Sequence, residues 1–243
     1  MRLKDEVVIV TGASRNIGAV YAKALAAEGA KIIAADILSA SKTVDEIKEA
    51  GGEATEVTVD VSDEHAVQQM AETANDTYGK ISSLLNNAAL YYDLSDKPFS
   101  DISVEEWDRV MAVNLRGVFL CCRAVVPYMK ETKKGRIINI ASNTIFKGTP
   151  GLAHYVASKA GVVGFSRTLA RECGDFGINV NVVAPDFIPH ERNLKEKPGH
   201  VQMIQESRAI KRREVPEDMI GTIVFLLSPD SDFITGQTIA VNG

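Results

Sequence analysis

Tyr155 and Lys159 stand four residues apart in the stretch AHYVASKAGVVGF, and Ser142 lies a short way upstream. On a helix, positions i and i+4 share a face, so the Ala, Val and Phe spacing of that stretch predicts that phenol and ammonium point at one spot. A tyrosine starts near pKa ~10, and reaching about 7 takes roughly 4 kcal/mol of preference for phenolate. One lysine charge at about 4 Å, in an effective dielectric near ~20, supplies about that much, which predicts that Lys159 tunes Tyr155 into a general acid/base. With a serine hydroxyl to hold the reacting oxygen, the three groups suit a proton transfer coupled to a hydride transfer. A Tyr-x-x-x-Lys pair by itself is common on solvated helix faces, and the remainder of the chain decides between the two readings.

Those side chains need a scaffold, and the N-terminal part of the chain carries a nucleotide-binding pattern. The apolar run Val7 to Val10 leads into TGASRNIG, Thr11 to Gly18, followed by an alanine-rich helical pattern from Ala19 to Glu28. Strand, tight turn and helix in that order aim free backbone N–H groups and the positive helix end at a phosphate, and glycine lets a ligand approach the backbone closely. Gly12, Ser14, Arg15, Asn16, Ile17 and Gly18 are therefore candidate cofactor contacts. The next apolar run ends in Asp36, eighteen residues after Gly18, near the spacing of the acid that binds an adenosine ribose. A carboxylate there accepts hydrogen bonds from both ribose hydroxyls and repels a 2′-phosphate, so NAD is the expected cofactor. Arg15, a basic group in the turn able to receive that phosphate, keeps NADP open.

The 243 residues are 45% apolar, and strand-like runs alternate with helical patterns from start to finish. Strands are expected near Val7–Thr11, Lys31–Ala35, Ala54–Val59, Ser82–Asn86, Gly135–Ala141, Ile178–Ala184 and Thr238–Val241. This alternation predicts one α/β domain over residues 1–243, a Rossmann fold with a doubly wound, seven-stranded parallel sheet and helices on both faces. Ligands on such sheets bind beyond the carboxyl ends of the strands, where Gly12, Asp36, Asp60, Asn87, Ser142 and Pro185 fall. The 27 basic and 32 acidic residues give a net charge of −5 without a basic stripe, so nucleic acid is not an expected partner. Lys130, Lys133, Lys134 and Arg136 cluster at a helix-to-strand turn. The N-terminus lacks a signal-peptide core and no apolar run approaches membrane-spanning length, so a cytoplasmic protein without membrane contact is expected. Cys121, Cys122 and Cys173 show no Cys-x-x-Cys pattern and read as free thiols. His65, His154, His190 and His200 lack ligand spacing, and no catalytic metal is expected.

In this order, over nearly the whole chain, these pieces resemble the classical short-chain dehydrogenase/reductases. TGASRNIG resembles the family's TGxxxGxG turn, Asp60-Val61 its adenine-contacting pair, and NNAA, Asn86 to Ala89, its NNAG, with Asn87 and Ala88 at the cofactor. Asn114 in VNLRG matches a structural and catalytic Asn; Ser142, Tyr155 and Lys159 match the catalytic Ser and YxxxK; NVVAPDFIPH resembles the segment that binds nicotinamide, bringing in Pro185 and the backbone of Ile188. Asn16 replaces the middle glycine of the turn, a substitution Asn tolerates because it accepts positive φ. Asp186 and His190 replace the family's usual Gly and Thr. An acid at 186 near the cofactor favours the cationic, oxidised nicotinamide; a solvent-facing Asp186 is the competing expectation.

The resemblance implies that Tyr155 exchanges a proton with a secondary alcohol or ketone while hydride moves to or from the nicotinamide. It further implies that Ser142 holds the oxygen, that Lys159 lowers the Tyr155 pKa and bonds the ribose, that Asn114 links the lysine to solvent through a water, and that the chain forms a homotetramer. Substrate choice is expected in residues 90–100, 143–152 and a lid near 187–206. There Tyr91, Tyr92, Phe146 and Phe187 suggest an aromatic-tolerant pocket, and ASNTIFKGTP resembles pyridoxal 4-dehydrogenase-like and aryl-alcohol dehydrogenase-like members. Arg192, Lys195 and Lys197 read as a solvated helix face rather than an acid-binding one. The alternatives are a 3-oxoacyl-thioester reductase, for which NADPH is the usual cofactor, and a non-catalytic nucleotide-sensing module.

Overall fold

β-Branched and small apolar residues fill the strand runs, and a sheet covered on both faces is where such uninterrupted runs are stable. In the computed structural model, which describes residues 1–196 and 198–243 and the backbone alone of 191 and 192, seven strands form. They are β1 (Val7–Thr11), β2 (Lys31–Asp36), β3 (Glu53–Thr58), β4 (Ser83–Asn86), β5 (Gly135–Ile140), β6 (Ile178–Pro185) and β7 (Thr238–Val241). All pair in parallel in the order β3-β2-β1-β4-β5-β6-β7. The architecture and the strand positions match the expectation, with ends differing by at most one residue. The order reverses between β1 and β4, the switch point at which such sheets open a crevice.

Helices α1 (Asn16–Ala27), α2 (Ser41–Glu49) and α10 (Glu217–Leu227) bury Tyr21, Leu25, Ile47 and Ile223 on one face of the sheet. The other face takes α3 (Glu64–Tyr78), α5 (Gly117–Thr132) and α7 (Ala153–Cys173) through Met70, Val125 and Val162. α4 (Val104–Met111) runs into a π-helical segment (Ala112–Arg116) and directly on into α5. This rod corrects the sequence expectation about apolar runs, because Val104–Thr132 is long and apolar enough to cross a membrane by length and composition. Its apolar residues are instead those of a core helix: Val118, Cys121, Cys122, Val125 and Met129 are buried against the sheet. Short helices α6 (Thr144–Lys147), α8 (Glu191–Glu196) and α9 (Pro198–Ser207) complete the chain.

The helix that carries Tyr155 and Lys159 is held to the sheet by polar as well as apolar contacts. Tyr155, Ser158, Lys159, Val162 and Ser166 lie along its buried face. Ser166 Oγ accepts from Asn139 Nδ2 at 2.8 Å, and Asn139 Oδ1 accepts from Asn86 Nδ2 at 2.8 Å, joining α7 to β5 and β4 inside the core. Removing the middle member of a buried network leaves its partners unsatisfied, which costs about 1–3 kcal/mol. Asn139→Ala is therefore expected to lower the unfolding free energy by about that amount in urea titrations, whereas a change below about 0.5 kcal/mol would show that the network does not anchor α7.

Candidate functional site

The strand ends converge on a cleft of about 1130 Å³, larger than the few hundred to 1,000 Å³ of ordinary small-molecule pockets and able to take a dinucleotide and a second ligand together. Its floor is the β1–α1 turn. Gly12 sits at φ 71°, where a Cβ would meet the Asn87 side chain at 2.9 Å, and a Cβ on Gly18 would lie 1.9 Å from the Gly12 carbonyl oxygen. No side chain fits at either position, so the backbone N–H groups at the head of α1 stay accessible. Asn16 adopts φ 51°, the left-handed conformation expected of it. Thr11, which sequence reasoning passed over inside its motif, braces this turn: its Oγ1 accepts from the backbone N–H of Asn87 (3.0 Å) and Ala88 (3.1 Å), while Asn87 Nδ2 donates to the Thr11 carbonyl.

At the end of β2, Asp36 Oδ2 accepts from the Ser14 N–H at 2.9 Å and Oδ1 from the Leu38 N–H at 3.0 Å. The carboxylate is thus fixed with a lone pair left on each oxygen, the acceptor set that the two hydroxyls of a ribose diol require. Asp60 Oδ1 accepts from the N–H and hydroxyl of Ser62, and Val61 packs against Gly117, where a Cβ would stand 2.9 Å from Val61 Cγ2. Asp36, Asp60 and Val61 all line the cleft, as do Arg15, Asn16, Ile17, Pro185 and Ile188. A buried Ser14 Oγ without a protein partner adds an unused polar group to the same turn. These features fit a dinucleotide: a phosphate cradle, an acid for the ribose and a slot for a base.

Ser142, Tyr155 and Lys159 meet at the other end of the cleft and are all buried. Lys159 Nζ donates to the Ile140 carbonyl at 2.7 Å and lies 5.9 Å from the Tyr155 ring centroid. Burial brings the lysine down to about 8 and pushes the Tyr155 phenol up, with the Ser142 hydroxyl opposing that rise. Desolvation is the largest influence on both groups, a contribution that an argument from the Lys159–Tyr155 charge pair leaves out.

Asn114, in the π-helical segment, is also fully buried, but its amide is committed elsewhere. It accepts from the Leu90 N–H at 2.7 Å and donates to the Leu90 carbonyl and to Ser158 Oγ. Its side chain fixes the loop after β4 to α7.

The aromatic residues divide. Tyr91 packs on Tyr155 with centroids 5.1 Å apart, Tyr92 meets the His190 ring at 4.8 Å, and Phe187 meets His200 at 5.7 Å, all on the cleft. Phe146 is 62% exposed and does not join them. Asp186 is not solvent-facing: its side chain is 6% exposed and ion-paired to Lys147 at 2.8 Å and to Arg208 at 3.2 Å. Burial alone would raise its carboxyl, but hydrogen bonds from Lys147 and Asn143 and the two positive charges hold it below the ordinary range. Those cations offset the field it was expected to exert on a nicotinamide. Lys195 is exposed, while the Arg192 side chain and Lys197 lie outside the described residues.

A phosphate turn, a ribose acid and a buried Ser–Tyr–Lys set occupy one cleft, and a family model described as Enoyl-(Acyl carrier protein) reductase matches residues 12–243. The chain belongs to the short-chain dehydrogenase/reductase family. It is 41% identical to the 3-oxoacyl-[acyl-carrier-protein] reductase of Synechocystis sp., over 99% of this chain and 97% of that one. It is 36% identical to 3-oxoacyl-[acyl-carrier-protein] reductase FabG of Thermotoga maritima, over 100% and 98%. A crystal structure of a protein assigned as a short-chain alcohol dehydrogenase from Sinorhizobium meliloti 1021 superimposes with a TM-score of 0.93 at 31% identity, covering 99% and 96%. The Synechocystis and Thermotoga relatives carry oxoacyl-reductase names, and the pyridoxal or aryl-alcohol flavour expected from ASNTIFKGTP is not supported.

Lys159 gives the site a measurable signature. Its folded pKa lies below the unfolded value, so the folded state binds fewer protons at this group between about 8 and 10.5. Stability at this residue is expected to rise with pH across that window, and the rise should be missing in Lys159→Met. Thermal melts from pH 7 to 10 that keep the same slope in both proteins would contradict a buried, readily deprotonated lysine.

Proposed function

We propose that this protein interconverts a ketone and a secondary alcohol with a nicotinamide cofactor, and that 3-oxoacyl thioesters are its substrate class. The observation that carries the reaction type is the convergence of Ser142, Tyr155 and Lys159 beside the dinucleotide cradle. The substrate class is supported by the names of the Synechocystis and Thermotoga relatives. When bound, the nicotinamide supplies or accepts the hydride. Ser142 donates a hydrogen bond to the reacting oxygen, and Tyr155, protonated at rest because burial raises it, delivers the proton to a ketone oxygen or recovers it in the reverse direction. Lys159 stands behind the phenol and restores its proton, and Asn114 keeps the Leu90 loop and α7 in register around them.

For the cofactor we propose NAD(H), a reading that rests on Asp36. Gly12, Ser14 and Asn16 to Gly18 would hold the diphosphate, Asp60 and Val61 the adenine, and Asn87, Ala88, Pro185 and Ile188 the nicotinamide half. A 2′-phosphate about 5 Å from the Asp36 carboxylate meets on the order of 2 kcal/mol of repulsion, about thirtyfold in affinity. A second substrate reading, a flat aromatic or cyclic alcohol, is favoured by the packing of Tyr91 on Tyr155. For the quaternary state we propose a homotetramer, supported by the exposed Phe119 on a groove also lined by Leu115, Gly161 and Phe165. Light scattering should show a multimer whose mass falls in Phe119→Asp; a wild-type monomer would overturn it.

The deciding experiment follows absorbance at 340 nm with acetoacetyl-CoA against NADH and NADPH, beside a panel of secondary aryl alcohols with NAD⁺ and NADP⁺. NADH-selective reduction of the thioester is expected, falling about 10²–10⁴-fold in Tyr155→Phe. In Asp36→Ser the NADH preference is expected to shrink about tenfold or more. Turnover confined to aryl alcohols would move the substrate to the second reading, and equal use of NADPH by the wild type would remove the role given to Asp36.

A further inference from the structure

One buried charge cluster lies outside the groups that do the chemistry and touches three parts of the cleft at once. Arg208, just beyond the end of α9, has a side chain 4% exposed, and Asp186 and Glu214 are each 6% exposed. Arg208 Nη2 donates to Asp186 Oδ2 at 3.2 Å, to Glu214 Oε2 at 3.1 Å and to the carbonyl of Phe187 at 2.9 Å, and Nη1 donates to the carbonyl of Arg212. The Asp186 N–H donates to Glu214 Oε1. On its far side the Asp186 carboxylate accepts from Asn143 Nδ2 at 3.2 Å and Lys147 Nζ at 2.8 Å, residues of the segment that begins at Ser142. Arg208 therefore grips both roots of the lid segment, Phe187 at one end and its own backbone at the other, and reaches the serine loop through Asp186.

We propose that Arg208, clamped between Asp186 and Glu214, is a positioning residue that couples the lid over residues 187–207 to the loop carrying Ser142, and that ionisation of Glu214 sets how tightly it does so. The inference deepens the proposed function, since it assumes that the cleft under the lid is the substrate site. Glu214 is faced by Arg208 and Arg212 from its own connection, by Asp186 from the end of β6, by Asp218 from α10 and by Tyr21 from α1. Burial pushes its carboxyl up to about 7, with Arg208 opposing and Asp186 and Asp218 adding to the rise. Above that pH two carboxylates hold the guanidinium; below it, one does. The sign separates this device from general stability. A carboxyl whose folded pKa is raised costs folding free energy as pH climbs through the ordinary glutamate value toward 7, so at this group global stability falls while the local grip tightens.

Hydrogen–deuterium exchange on the full chain, corrected for the intrinsic pH dependence of exchange, tests the coupling without any substrate. Residues 187–208 and 143–148 are expected to become about tenfold more protected together between pH 6 and pH 8 in the wild type. Glu214→Gln, which keeps shape and hydrogen-bonding capacity, should flatten that response, and Arg208→Ala should deprotect both segments, with partial recovery in Arg208→Lys. With a substrate in hand, its KM should fall over the same pH range while kcat changes less, and the trend should be absent in Glu214→Gln. An unchanged response in Glu214→Gln, or loosening of one segment without the other, would overturn the clamp. Failure to turn over any substrate would count against the proposed function and leave the exchange result to decide the clamp on its own.

Discussion

Helix α1 begins so close to the end of β1 that no side chain can stand between them; a Cβ on Gly18 would come within 1.9 Å of the Gly12 carbonyl oxygen. From that contact a continuous chain of hydrogen bonds crosses the cleft. The turn is braced by Thr11 on Asn87 and Ala88, the same loop continues to Leu90, Leu90 is held at both its N–H and its carbonyl by Asn114, and Asn114 donates to Ser158 beside Tyr155. The glycine turn on one side of the switch point and Tyr155 on the other thus share one connection. Placement to within fractions of an ångström is what such a site contributes to a hydride transfer, and a chain of backbone-directed bonds supplies it at little conformational freedom.

Burial, rather than pairing, sets the electrostatics around Tyr155. The lysine and the phenol are both withdrawn from water, so each resists its charged form, and the lysine, brought down to about 8, is the group nearest neutrality. The phenol is pushed toward its protonated form and the lysine toward its neutral one, both by desolvation. A charge at about 4 Å in a dielectric of ~20 describes the attraction alone and leaves the desolvation of both partners out of the balance.

The fold was legible because strand and helix periodicities are local. Runs such as Val7 to Val10 can be stable only as covered parallel strands, and glycines at 12 and 18 with Asn16 between them announce a turn that needs positive φ. The acid at 36 and the Ser–Tyr–Lys set were legible for the same reason, each being a short pattern tied to a strand end. What the sequence did not disclose depends on distant partners. Asp186 reads as exposed or cofactor-facing until Arg208 and Lys147 are brought beside it. Phe146 reads as a pocket aromatic but turns outward on a four-residue helix. The rod from Val104 to Thr132 runs on through Asn114 as a π-helical segment, a continuity that no short motif announces.

The two walls of the substrate end of the cleft are held in different ways. Tyr91 and Tyr92 follow Leu90 directly and inherit the rigidity of its clamp on Asn114, so the aromatic surface against Tyr155 is a fixed boundary. Phe187 and His200 belong to the segment whose roots hang from Arg208, and their rings pack on each other. The His190 ring lies 4.8 Å from that of Tyr92. The Tyr155 side of the cleft is thus set by the Asn114 clamp on Leu90, and the opposite side by the Arg208 bond to the Phe187 carbonyl, two independent constraints on one cavity.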